Sequence, residues 1–73
     1  MNTDKKERID SRLAAQIKEA REKNGLTQAQ VAKQAKVTET FYAMTERGES
    51  NPSYANLERI LKVLGLKIVA KKQ

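Results

Sequence analysis

Leu26-Thr27-Gln28-Ala29-Gln30-Val31-Ala32-Lys33-Gln34-Ala35-Lys36-Val37-Thr38 is the stretch that decides the architecture of this chain. Thr27 with Gln30 fits a capping box, in which the Thr hydroxyl accepts from the third backbone N–H of a helix and the Gln side chain reaches back to the cap. Val31, Ala32 and Ala35 then line a small apolar face. A helix faced with alanine can sit close to its neighbours. It ends near Ala35-Lys36, after about two and a half turns. Thr38 is a second cap, so another helix opens a few residues later. Two short helices joined by a turn of about three or four residues follow the helix-turn-helix plan.

Upstream, Ile9, Leu13, Ile17 and Ala20 recur at helical spacing and predict a helix from about Asp10 to Lys23. Asn24-Gly25 supplies its stop, because glycine accepts the left-handed conformation beyond a helix end. Downstream, the helix opened by Thr38 runs to Arg47-Gly48. Tyr42, Thr45 and Glu46 share one of its faces, and Glu39, Thr40, Ala43, Met44 and Arg47 share the other. A loop, Gly48-Glu49-Ser50-Asn51-Pro52, leads to Ser53, which caps a last helix with Leu57, Ile60, Leu61 and Leu64 as its buried stripe and Gly65 as its stop. Leu66-Lys67-Ile68-Val69-Ala70 alternates and is β-branched, which predicts a short strand. The other reading of this tail is a frayed extension whose Leu66 and Ile68 close the core. The expected layout is a polar N-terminal extension over 1–8, a helix-turn-helix domain over 9–65 and a C-terminal strand over 66–73.

Seventy-three residues make one domain with one small core. The chain contains neither Cys nor His. Disulfides, Cys/His zinc sites and nucleophile–base pairs built on those residues are therefore excluded. No apolar run approaches the roughly 20 residues of a membrane span. MNTDKKERID is polar throughout, unlike a signal peptide. The expectation is a cytoplasmic binding domain with no cofactor, no metal and no membrane. An enzyme is not expected, because the chain is too short for a concave pocket and lacks an acid/base pair. The net charge is +6, which makes nucleic acid the first partner to consider. Its excess lies at the ends: residues 1–25 carry +2, 26–53 are neutral and 54–73 carry +4. Lys-rich ends also keep a small domain soluble, so charge alone does not establish DNA binding.

The segment Leu26 to Ala32, with Val37-Thr38, Glu46-Arg47-Gly48 and Asn51-Pro52-Ser53, resembles the Cro/repressor-type (XRE) helix-turn-helix family. The family pattern is L-[ST]-Q-x-x-[LV]-A, a V-[ST] turn, E-x-G and N-P-[ST], then an amphipathic helix ending in L-G. The resemblance covers about residues 13–66. It implies an all-α, lambda-repressor-like domain of four to five helices, here with a short C-terminal β-strand. It also implies a sequence-specific repressor that binds double-stranded DNA, at a palindromic operator, as a homodimer. The ending Ile60 to Val69 is similar to HigA-type and HipB-type antitoxins of bacterial toxin–antitoxin modules, where a short strand follows the last helix. That second resemblance implies a type II antitoxin that represses its own operon, with a cognate toxin as partner. Two other readings stay open: a stand-alone phage- or plasmid-type regulator without a toxin, and a helix-turn-helix scaffold used only for protein binding.

The family resemblance also carries roles onto particular residues. Thr27 and Gln28 open the helix whose glutamine bonds a DNA phosphate in the family. Thr38, Glu39, Thr40, Ala43 and Met44 match the recognition face that enters the major groove. There Thr40 bonds a base edge or touches a thymine methyl, and Ala43 and Met44 offer apolar contact. Glu39 has two open readings: an acceptor for cytosine N4, or a first-turn charge favoured by the helix dipole. Arg47 matches a phosphate-contacting position, and the dipole alone would also favour it there. Ser50, Asn51 and Ser53 resemble the loop and helix start that grip the second strand, besides their turn and cap chemistry. Arg21 and Glu46 match a structural ion pair behind the recognition surface. Leu66, Ile68 and Val69 are the expected dimer contacts, since a lone strand finds a partner across a two-fold axis. Phe41 is a candidate for the sugar-phosphate edge or a protein partner.

Three residues depart from the family pattern. Lys36 stands where glycine is usual, at a cost of about 1 kcal/mol if φ is positive. Thr45 replaces an aliphatic residue and is expected to bond a carbonyl one turn earlier. Tyr42 replaces Ile or Val, so its phenol is expected to reach a polar edge.

Overall fold

A computed structural model describes residues 8–66 of the chain. These form four α-helices: α1 (Ser11–Lys23), α2 (Gln28–Ala35), α3 (Glu39–Glu46) and α4 (Tyr54–Val63). Each start is capped by a side-chain oxygen. Asp10 accepts from the Arg12 N–H, Thr27 from Gln30, Thr38 from Phe41 and Ser53 from Asn56. The Thr27–Gln30 box is reciprocal, with the Thr27 N–H donating to Gln30 Oε1 at 2.8 Å.

The four helices also end alike. After α1, the Leu26 N–H donates to the Arg21 carbonyl at 3.1 Å. The same six-to-one bond runs from Val37 to Ala32 (3.0 Å), Glu49 to Met44 (2.9 Å) and Leu66 to Leu61 (2.8 Å). This closure needs a left-handed residue at the corner. Glycine supplies it after α1, α3 and α4, but after α2 the corner is Lys36, at φ 62°. Replacing Lys36 with glycine removes the clash of Cβ with its own backbone, set against the greater freedom of glycine in the unfolded chain. Lys36→Gly is expected to raise stability by about 0.5–1 kcal/mol, read as a higher urea midpoint. A lowered midpoint would mean that the lysine side chain contributes more than its backbone conformation costs.

The core is built from two or three side chains of each helix. Ile17, Val31, Tyr42, Thr45 and Ile60 are fully buried, and Ala14, Ala32 and Ala35 let the helices approach. Helix α2 packs on both α3 and α4, and α1 packs on α3. Arg59 of α4 donates Nε to the Ala35 carbonyl at 2.8 Å, placing a cation on the last turn of α2. The Ile9 N–H donates to the Ser50 carbonyl at 3.0 Å and ties the chain before α1 to the α3–α4 loop.

The described residues are all-α and contain no strand. Leu66 is half-buried against the core. The rest of the expected strand, with Ile68 and Val69, lies outside the described residues, as does most of the N-terminal extension.

Candidate nucleic-acid interface

Helix α3 buries Tyr42, Thr45 and Glu46 and so turns its other side outward. On that side Thr38, Glu39, Thr40 and Arg47 are exposed, and Ala43 and Met44 are half-buried. The Thr38 and Ser53 oxygens accept backbone N–H bonds at 3.0 and 3.1 Å. A hydroxyl that accepts still has its own proton to donate. Thr27, Asn51 and Ser53 are exposed. Arg47 Nε donates to Glu49 at 3.0 Å, with both side chains at least half exposed. Such a surface pair is worth little, so the guanidinium is free to take another anion.

Behind this surface the fold brings Arg21, Glu46 and Gln28 together. Arg21 Nε donates to Glu46 Oε2 at 2.6 Å and Nη2 to Oε1 at 3.2 Å. Arg21 Nη1 donates to the Leu26 carbonyl at 3.0 Å, and Gln28 Nε2 to Glu46 Oε1 at 2.9 Å. The Arg21 and Glu46 side chains are 14% and 3% exposed. Burial by itself pushes the Glu46 carboxyl pKa up. The hydrogen bonds from Arg21 and Gln28, with the Arg21 charge, outweigh that and hold it below the ordinary carboxylate range.

Gln28 is half-buried with its amide on Glu46. Three side chains, Ser50, Tyr42 and Phe41, lie otherwise than the sequence suggested. Ser50 is only 4% exposed. Its hydroxyl lies 2.7 Å from Thr45 Oγ1, which also donates to the Phe41 carbonyl at 2.9 Å. Thr45 has one proton, so Ser50 is the donor between them, and its side chain faces the core rather than the phosphates. The cause is the hydroxyl that Thr45 brings into an otherwise apolar site.

The Tyr42 phenol reaches no polar edge. It is fully buried, and its hydroxyl has no hydrogen-bond partner. Burial, with the nearby Glu46 charge, pushes its pKa far up. The Glu46 oxygens accept three N–H bonds, two from Arg21 and one from Gln28, and the phenol lies beside this ion pair without bonding to it. Phe41 packs half-buried on the core, and the exposed aromatic among the described residues is Tyr54, 66% exposed at the first turn of α4. Sequence reasoning missed Tyr54 and Arg59. Tyr54 was findable, since it follows the Ser53 cap and precedes the Leu57 stripe. Arg59 was not, because its acceptor is a backbone carbonyl 24 residues away.

Shallow depressions lie on the surface of the described residues. One lies between Ile9, Leu13 and Leu57, and another between Ala20, Asn24 and Leu66. Among the described residues no group of three His, Cys, Asp or Glu is placed to hold a metal, and no helix is long and apolar enough to cross a membrane.

A short capped helix, a tight turn and a second helix with an outward polar face define a helix-turn-helix protein. The HTH_3 helix-turn-helix family model matches residues 17–70, about three quarters of the chain, and the chain belongs to this XRE/Cro-type family. The family binds DNA and is not enzymatic. Comparison with curated proteins gave no match.

Proposed function

We propose that the protein is a sequence-specific transcriptional repressor that binds a palindromic operator as a homodimer, and that it is the autorepressing antitoxin of a type II toxin–antitoxin module. The observation that carries the repressor reading is the outward face of α3, with Thr38, Thr40, Ala43 and Met44 flanked by the capped starts of α2 and α4. In this reading α3 enters the major groove, where base edges offer distinguishable patterns of donors and acceptors. Thr27, Gln28, Arg47, Asn51 and Ser53 hold phosphates and fix its register. Glu39 accepts from cytosine or adds only its first-turn charge. The face has few strong donors, so discrimination per half-site is modest, and dimerisation with DNA shape supplies the rest.

Selection from a pool of random duplexes tests this directly. The expected product is a two-fold symmetric site with half-sites about one DNA turn, roughly 34 Å, apart. Thr40→Ala is expected to flatten the preference at one base position per half-site and to leave affinity for unrelated duplexes unchanged. No enrichment from the pool would favour the reading as a protein-binding scaffold.

The dimer contact is assigned to residues 66–73. Its support is the alternation of Leu66, Lys67 and Ile68 and the lack of a partner strand among the described residues. Light scattering on a chain lacking 66–73 is expected to give a monomer, and a dimer of unchanged operator affinity would remove this assignment. The antitoxin role is supported by the order of α4, Leu64-Gly65 and this tail. A toxin-like reading frame beside the gene would support it, and a lone regulator gene would favour the stand-alone reading.

A further inference from the structure

We propose that Glu46 is a positioning residue for DNA binding, holding one Gln28 amide N–H so that the second is presented to the DNA backbone. This rests on the proposed phosphate contact of Gln28 and goes beyond the ion pair. Gln28 is the first residue of α2, and its long side chain is half-buried. Its amide nitrogen carries two protons. One is engaged by Glu46 Oε1 at 2.9 Å, which leaves the other for a ligand at the mouth of the helix.

Glu46 cannot follow Gln28 if Gln28 moves. Arg21 grips both of its carboxylate oxygens and is itself anchored to the Leu26 carbonyl. Leu26 lies two residues before Gln28, so the contacts close into a ring through α1, the α1–α2 turn, the start of α2 and the last residue of α3. The amide is therefore ordered before DNA arrives, and a side chain already in place loses less freedom on binding. A bare carboxylate near a phosphate would repel it, but here the paired guanidinium neutralises Glu46. The same ring fixes the phosphate contact relative to the recognition helix, because Glu46 closes α3.

The test is a mutant cycle on affinity for a fluorescent mixed-sequence DNA duplex at low salt, suitable because phosphate contacts do not depend on sequence. Gln28→Ala is made in the wild type and in the double variant Arg21→Met/Glu46→Leu, whose apolar pair replaces the ion pair without leaving a buried charge. Gln28→Ala is expected to weaken wild-type binding about tenfold, but to weaken the double variant by no more than about twofold. Equal losses in both backgrounds, or no loss in the wild type, overturn the proposal and leave the DNA reading standing. No binding by the wild type overturns the DNA reading and this proposal with it.

If the double variant does not fold, exchange of the Gln28 side-chain amide protons in the wild type decides. One slow proton in the free protein and two in the duplex complex are expected. Two fast protons in the free protein, or loss of the slow one on binding, overturn the proposal.

Discussion

Arg21→Ala is expected to lower the unfolding free energy by roughly 2–4 kcal/mol. The substitution leaves the nearly inaccessible Glu46 carboxylate without its counter-charge and removes the donor to the Leu26 carbonyl. Most of the loss comes from stranding a buried charge, so removing the charge as well restores much of it. The double variant Arg21→Met/Glu46→Leu is accordingly expected to be far more stable than Arg21→Ala. A loss under about 0.5 kcal/mol on Arg21→Ala would mean that the pair behaves as an exposed one.

The same pair makes a pH prediction. The Glu46 carboxyl is held below its ordinary value of 4.5 in the folded state. A depressed carboxyl stabilises the fold above its unfolded pKa, and that contribution is lost as pH falls through the lower folded value. Wild-type stability is therefore expected to decline from about pH 4.5 downward, and to do so more steeply than that of the Arg21→Met/Glu46→Leu variant. Parallel acid limbs in urea denaturation would show that other carboxyls govern the acid limb.

DNA binding is expected to weaken on the order of a thousandfold between roughly 50 and 200 mM salt. Each chain carries +6, so the proposed dimer would bring twice that charge to the duplex. Arg47 is exposed at the end of α3, and residues 54–73 hold a net +4. About three phosphates neutralised per half-site would release enough counterions for that slope, with log affinity linear in log salt. The neutral contacts proposed for Gln28, Asn51 and Ser53 would fix register and add little to it. Titrations of one operator fragment at several salt concentrations give the slope directly. A flat response would be incompatible with a phosphate-gripping surface and would return the recognition face to a protein partner.

The four helices, their caps and their corners were legible in the sequence because each depends on residues within about one turn of one another. Thr27 and Gln30 cap α2 wherever the helix lies, and Lys36 takes a positive φ because the chain must turn there before Thr38. Apolar spacing placed Ile17, Val31, Ile60 and Leu61 in the core by the same local logic. The pairing of Arg21 with Glu46 came from the family resemblance, since nothing local joins residues 25 apart.

The tertiary structure decided which acceptor each polar side chain finds. Gln28 turns to Glu46 because α3 ends beside the start of α2. Ser50 turns inward because Thr45 lies beneath it. Tyr42 is left without a partner because the packed core brings no acceptor into bonding geometry with its hydroxyl. Arg59 finds the Ala35 carbonyl because α4 crosses the end of α2. Hydrophobic burial follows from residue type and period, whereas a hydrogen bond needs two specific atoms within about 3 Å, and only the packed chain sets that distance.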